Sequence, residues 1–149
     1  MSQETDCKLC ELLETQEIYY EDPQWALHQI PGLEVPGWLV MSMRRHGDGV
    51  VSMNAEEAAT FGPTLAGLSA AVKEVTDAER VYLFAFGDEI THWHIMLAAR
   101  PADVPKDQRR GAFYQHAASY LDPPAAERVA HAIRDLVAGQ DLRAVQDPR

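Results

Sequence analysis

Two cysteines and a pair of histidines are the residues of this chain whose types and spacing could do chemistry. Cys7 and Cys10 are its only cysteines, and a two-residue gap in a reducing compartment points to metal ligation or redox work more than to a structural disulfide. His92 and His94 lie in THWHIMLAA, a short segment that reads as a strand. Successive side chains of a strand point to opposite faces, so His92, His94 and Met96 share one face while Trp93, Ile95 and Leu97 share the other. The bulky apolar face is expected to pack on the core. The opposite face then presents two imidazoles roughly 7 Å apart, close enough to serve one site but not to chelate one ion easily. From spacing alone, the pair is equally well read as two histidines on a half-exposed sheet. His28, His116 and His131 carry no comparable pattern.

The elements that must position these residues are legible in outline. Residues 17–30 read as two short strands around a turn at Asp22-Pro23, and residues 37–43 (GWLVMSM) as a buried strand, with turns at Pro31-Gly32 and Pro36-Gly37. Asn54 and Glu57 have the spacing of a capping box. After them Phe61, Leu65, Leu68, Val72 and Val75 recur at helical intervals, which predicts the strongest helix of the chain. Residues 80–87 and 91–99 read as strands joined tightly through Asp88 and Glu89, a hairpin. An irregular stretch with Pro105 and Gly111 follows, and residues 127–137 form a further helix, with Pro123 and Pro124 at its start, where a missing N–H costs little. Antiparallel strands with one long helix between them and one at the end indicate an α+β layer and not an alternating βαβ sheet.

Composition narrows the partners. The 149 residues suit a single domain, 1–149, and no repeat or linker divides them. With 13 Lys plus Arg against 23 Asp plus Glu, the net charge of −10 repels nucleic acid polymers and anionic membrane surfaces. A mononucleotide is not excluded, because a few local donors can hold one phosphate against the overall field. No apolar run approaches the roughly 20 residues that cross a bilayer. The acidic N-terminus lacks the basic-then-apolar pattern of a secretory leader, so a cytoplasmic location is expected.

Read together, these segments resemble the histidine triad (HIT) superfamily. His92-Trp93-His94-Ile95-Met96-Leu97-Ala98-Ala99-Arg100-Pro101 is similar to the family signature of His-x-His-x-His, two apolar residues and an Arg-Pro pair. Pro36 to His46 (PGWLVMSMRRH) resembles the family stretch that runs Pro-Gly-His, an apolar strand and Lys/Arg-Arg-His. Cys7-Lys8-Leu9-Cys10 resembles the CxxC of zinc-containing members. The resemblance covers about 7–101, leaving 102–149 as a C-terminal extension. It implies a HIT-like antiparallel sheet with one long helix and a C-terminal helix, a homodimer, and a structural Zn2+ ion at Cys7, Cys10, His46 and His92. Two thiolates and two imidazoles suit tetrahedral zinc and leave no open position at which water could be activated. The competing reading makes Cys7 and Cys10 ordinary residues of a short helix capped by Asp6 and running through Leu13.

By the same resemblance, His94 matches the histidine that attacks the α-phosphorus of a nucleotide ester, anhydride or phosphoramidate. The nucleotide is then released to water or another acceptor. The alternative for His94 is a packed histidine bonded to a carbonyl. Three positions depart from the family pattern. Met96 replaces the third histidine and has no proton to donate, a change also met in the transferase branch, which usually has glutamine there. Trp38 stands where many members have histidine, and Gln29 where nucleotide-binding members often have an aspartate for the ribose hydroxyls. Gln29, Met96 and Arg100 are the substrate-contact candidates, Arg100 through its planar fork. Asp88 and Glu89 could orient an imidazole or simply serve the turn. The leading expectation is a nucleotidyl hydrolase or transferase acting through a covalent His94 intermediate on a small nucleotide or other phosphorylated molecule. The others are a zinc-stabilised nucleotide-binding protein without turnover, and a HIT-like enzyme repurposed for a biosynthetic reaction, with one zinc position open to substrate.

Overall fold

The apolar segments read as strands lie side by side in a computed structural model, which describes residues 6–144. Strands β1 (Tyr20–Glu21), β2 (Trp25–His28), β3 (Trp38–Met43), β4 (Arg80–Phe84) and β5 (His94–Arg100) form one antiparallel sheet in the order β1-β2-β3-β5-β4. Helices α1 (Lys8–Thr15), α2 (Ala55–Thr76), α3 (Gly111–Gln115) and α4 (Pro123–Val137) complete an α+β architecture with one long helix and a C-terminal one. Among the described residues no helix is long and apolar enough to cross a membrane.

Strand alternation divides the sheet into two faces with different duties. Trp25, Leu27, Leu39, Met41, Met43, Leu97 and Ala99 point to one side, where Leu68, Ala71 and Val72 of α2 and Ala130, Ile133 and Val137 of α4 close over them. Trp93 and Ile95 pack on the same core, as their parity with Leu97 requires. On the other face Trp38, Val40, Met96 and Ala98 form a smaller core with Val35, Val104, Phe113 and Ala117. The register aligns Ala26, Ser42 and His94 in one row across this second face, and His28, Val40 and Met96 in the next. Gly37 sets the entry to β3: its φ is +81°, and a Cβ there would fall 2.5 Å from the Ala99 Cβ, so the turn requires glycine.

The connection between β4 and β5 corrects one expectation. It is not a tight turn at Asp88 and Glu89 but a loop over residues 85–93, and β5 begins only at His94. Residues 91–93 bond instead to the loop after β3, through Gly49 N–H to the Thr91 carbonyl (2.9 Å), Trp93 N–H to the Gly47 carbonyl (2.9 Å) and a bridge between Asp48 and His92. That second loop competes for the strand hydrogen bonds and ends the β4–β5 ladder early.

Helix ends show why the loops stay in place. Helix α2 starts with the capping box expected at Asn54 and Glu57, and the buried Glu57 carboxylate also receives a fork from Arg45, at 3.0 and 2.7 Å. Arg45 in turn donates to the Ser52 carbonyl at 2.7 Å, so one ion pair ties the 44–52 loop to the helix. The Arg45 bond holds the Glu57 carboxyl below its ordinary range, against the opposing effect of burial. Glu57→Ala should cost about 2 kcal/mol, by loss of half the capping box and of the paired charge. Because the folded-state pKa lies below the unfolded one, this stability is complete above the ordinary carboxylate range and is lost as pH falls below that range through the lowered folded-state value. Urea unfolding of the wild type and Glu57→Ala at neutral and acid pH should show the two converging under acid.

Candidate functional site

Helix α1 carries one sulfur at its N-cap and one in its first turn. Its N-cap is Cys7 and not Asp6, since the Cys7 side chain receives the Cys10 N–H at 3.4 Å. Leu9 and Leu12 bury the other side of the helix, which leaves Cys7 and Cys10 facing the loops after β3 and before β5. There Cys7 Sγ lies 3.4 Å from His92 Nδ1, and Cys10 Sγ lies 3.4 Å from His46 Nδ1 and 3.5 Å from His92 Nδ1. All four donor atoms fall within 4.8 Å of one another. A tetrahedral ion with bonds of about 2.3 Å to sulfur and about 2.05 Å to nitrogen requires sulfur–nitrogen edges of about 3.5 Å, which is the spacing of these three pairs.

The protonation pattern suits the same ion. His92 Nε2 lies 2.6 Å from the Met43 carbonyl oxygen, which can only accept, so Nε2 carries the proton and Nδ1 offers a lone pair to the sulfurs. Burial, with the neighbouring His46, keeps His92 neutral by lowering its pKa. Gly47 lets the loop turn tightly after His46, because a Cβ there would meet Ser52 Oγ at 2.5 Å and Met43 Cε at 2.7 Å. Cys7, Cys10, His46 and His92 therefore fit zinc in chemistry and in edge length.

His94, next on β5, is turned to a different task. Its Nδ1 lies 2.8 Å from the His92 carbonyl oxygen, so Nδ1 is the protonated nitrogen and Nε2 keeps its lone pair. Beside it opens a cavity of about 290 Å³, walled by Ile30, Leu33, Phe84, Phe86, Met96 and Tyr114 and edged by Asp88 and Glu89. Among the described residues no Lys or Arg lines it. The aromatic wall is tightly built: Tyr114 stacks on Trp38 with planes 7° apart and meets Phe84 edge-on at 5.3 Å.

The other candidates are placed unequally. Met96 is buried in the second core and lines the cavity. Gln29 does not line it; the side chain accepts from the Tyr19 hydroxyl at 3.3 Å. Arg100 lies six residues along β5 from His94, roughly 20 Å away by strand rise, and pairs with Glu79 at 2.8 Å.

His28 carries a role its sequence context did not disclose. Fully buried, it bonds the Ser42 hydroxyl through Nε2 at 2.8 Å and the Gln29 carbonyl through Nδ1 at 2.9 Å. Ser42 is the cross-strand partner of His94. Burial lowers the His28 pKa, so a neutral imidazole and a hydroxyl pack behind His94. The only available signal was parity: 28, 42 and 94 fall on one face once the register is known.

Neither any family model nor any curated protein matches the chain by sequence. Solved structures do match by fold. A HIT-like protein of Bartonella henselae, described as involved in cell-cycle regulation, superposes with a TM-score of 0.67 over 88% of this chain and 96% of its own, at 14% identity. A zinc-bound histidine triad family protein of Mycobacterium smegmatis gives 0.65 over 90% and 96%, at 15% identity. A histidine triad protein of Sinorhizobium meliloti gives 0.66 over 84% and 92%, at 17% identity. The fold is that of the histidine triad proteins.

The buried His28–Ser42 pair predicts a coupling. Ser42→Ala leaves His28 Nε2 without a partner and should cost about 1–3 kcal/mol. The double variant Ser42→Ala with His28→Leu should recover part of that loss, read in a double-mutant cycle by chemical denaturation as a combined cost smaller than the sum of the two single costs.

Proposed function

We propose that the chain is a HIT-like nucleotidyl hydrolase or transferase, with His94 as nucleophile and a structural zinc ion at Cys7, Cys10, His46 and His92. The observation that carries this reading is the state of His94: Nδ1 bonded to the His92 carbonyl, and Nε2 without a partner among the described residues, at the edge of an aromatic cavity.

The residues present suit the following sequence. His94 Nε2 forms a bond to the α-phosphorus of a nucleotide derivative while the bond from phosphorus to the leaving group breaks and its electron pair departs with that group. Positive charge then develops on the ring and is stabilised by the Nδ1–H bond to the His92 carbonyl. Water or another acceptor attacks the same phosphorus, the Nε2–phosphorus bond breaks, and the imidazole is restored. Cys7, Cys10, His46 and His92 would hold a zinc ion that ties α1 to the His92 segment, and four protein ligands would leave it a structural role without activation of water. The walls Phe84, Phe86 and Tyr114 suit an aromatic base. Two carboxylates at the rim, with no Lys or Arg there among the described residues, favour an amine leaving group over a polyphosphate one, since a polyanion would be repelled.

Met96 supports the second reading, a zinc-stabilised nucleotide-binding protein without turnover. It offers no proton beside His94, so the leaving group must bring its own acidity or take a proton from water. The homodimer belongs to the proposal through the resemblance alone and is checked by light scattering.

Two outcomes are expected. Protein prepared with zinc should hold one ion per chain by elemental analysis; Cys10→Ser should lower that content, and chelation should lower the melting temperature. Incubation with adenylated tryptamine or a related nucleoside phosphoramidate should release AMP, and His94→Ala should reduce the rate by about 10³-fold or more with zinc content unchanged. Turnover surviving in His94→Ala removes the nucleophile role. Binding of AMP without any release by the wild type selects the second reading.

A further inference from the structure

The same sheet face that carries His94 ends, some 20 Å away along β5, in a concentration of cations for which the acidic composition gives no warning. Arg80, Tyr82, Arg100, Lys106, Arg109 and Arg110 line a groove of about 380 Å³. Five of the 13 Lys and Arg of the chain thus meet in one place, although the net charge is −10.

Three features set this groove apart from a casual surface patch. Arg80 and Arg100 are direct cross-strand partners, an arrangement of like charges that destabilises a sheet. Among the described residues one carboxylate, Glu79, forms ion pairs in this cluster, at 2.8 Å from Arg100 and 3.8 Å from Arg109. Next, the Tyr82 hydroxyl oxygen accepts two bonds, from Arg100 Nε at 3.2 Å and from the Arg110 N–H at 3.0 Å. Both lone pairs are spent, and its own hydrogen has no acceptor among the described residues. Burial pushes the Tyr82 phenol up, but the Arg110 N–H and the Arg100 bond outweigh it and bring the net shift down. Finally, Arg110 has φ +61° and ψ −137°, a conformation that an L residue adopts only under strain and that glycine accepts freely.

Arg100 and Arg109 act as scaffold. Arg100 is buried and held by Glu79, Tyr82 and the Pro101 carbonyl, and Arg109 bonds the carbonyls of Val104 and Ala102. The exposed side chains of Lys106 and Arg110 have no hydrogen-bond or ion-pair partner among the described residues. What the groove offers is therefore donors only: an ammonium, guanidinium forks and a phenol O–H. We propose that this groove is a second anion site, separate from the His94 cavity, which binds the phosphate or diphosphate group of a small molecule through Lys106, Arg110 and the Tyr82 hydroxyl. A nucleic acid polymer is the less favoured occupant, because the −10 charge of the whole chain acts against an extended polyanion and only weakly against one multivalent group held at close range.

Calorimetry on the full, zinc-loaded chain with inorganic pyrophosphate tests this. Saturable binding of one pyrophosphate per chain is expected, weakened about tenfold or more in Lys106→Ala with Arg110→Ala, and unchanged in His94→Ala. AMP release by the double variant should match the wild type, which separates failure of this site from failure of the proposed nucleophile. Arg110→Gly should melt higher than the wild type without ligand and bind pyrophosphate more weakly, an opposition that a merely structural arginine would not produce. If free phosphate groups are the ligand, pyrophosphate should compete with ATP; if a nucleotide's base is also read, ATP should bind more tightly than pyrophosphate. The proposal is overturned by equal pyrophosphate affinity in the wild type and the double variant, by no saturable binding at millimolar concentration, or by groove-dependent binding seen only with a single-stranded oligonucleotide.

Discussion

One residue, His92, holds both halves of the site in register. Its ring Nε2 donates to the Met43 carbonyl at the end of β3, which turns Nδ1 toward the two sulfurs of α1. Its own carbonyl accepts from His94 Nδ1, which settles the tautomer of the next histidine and frees Nε2. The same amino acid thus orients a ligand set with its side chain and a nucleophile candidate with its backbone. That backbone is in turn fixed by the loop after β3, through the bridge from His92 to Asp48 and the bond from Trp93 to Gly47. Movement of this segment would disturb the ion site and the His94 tautomer together.

The surroundings of His94 follow from the alternation of the sheet. Its row continues to Ser42 and Ala26, and the adjacent row holds Met96, Val40 and His28. With methionine at position 96, the neighbour of His94 along β5 is apolar and belongs to the second core with Trp38 and Phe113. The polar pair on this face comes instead from β2 and β3, where His28 and Ser42 satisfy each other in full burial. A buried imidazole without such a partner would cost the desolvation of its nitrogens, so the two residues have to be present as a pair.

Periodic and local signals were the legible ones. The capping box of α2, the helix after Pro123-Pro124, the buried strand after Pro36-Gly37 and the opposite faces of Trp93 and His94 could each be read, because each rests on spacing within a few residues. The meeting of Cys7, Cys10, His46 and His92 came from resemblance, since nothing local announces that α1 lies against two distant loops. Asp88 and Glu89 have the composition of a tight turn, but the hydrogen bonds that shape the β4–β5 connection involve Gly47 and Gly49, some forty residues earlier. His28 and the arginine groove were invisible for a related reason: both depend on strand register, which composition and single-strand periodicity do not carry.

Charge on this sheet face is sorted along its length. Among the described residues the His94 cavity is edged by Asp88 and Glu89 with no Lys or Arg, while the groove around Tyr82 collects five cations. Between them stand the aromatic side chains of Trp38, Phe84, Phe113 and Tyr114, in contact with one another at centroid separations of 5.1 to 6.3 Å. At roughly 20 Å, beyond two Debye lengths at physiological salt, the two ends act on exposed charges almost independently. The −10 of the whole chain is consequently a poor guide to either. The cavity at His94 is largely apolar with two carboxylates at its edge, whereas the far end of the same face is lined by arginine and lysine.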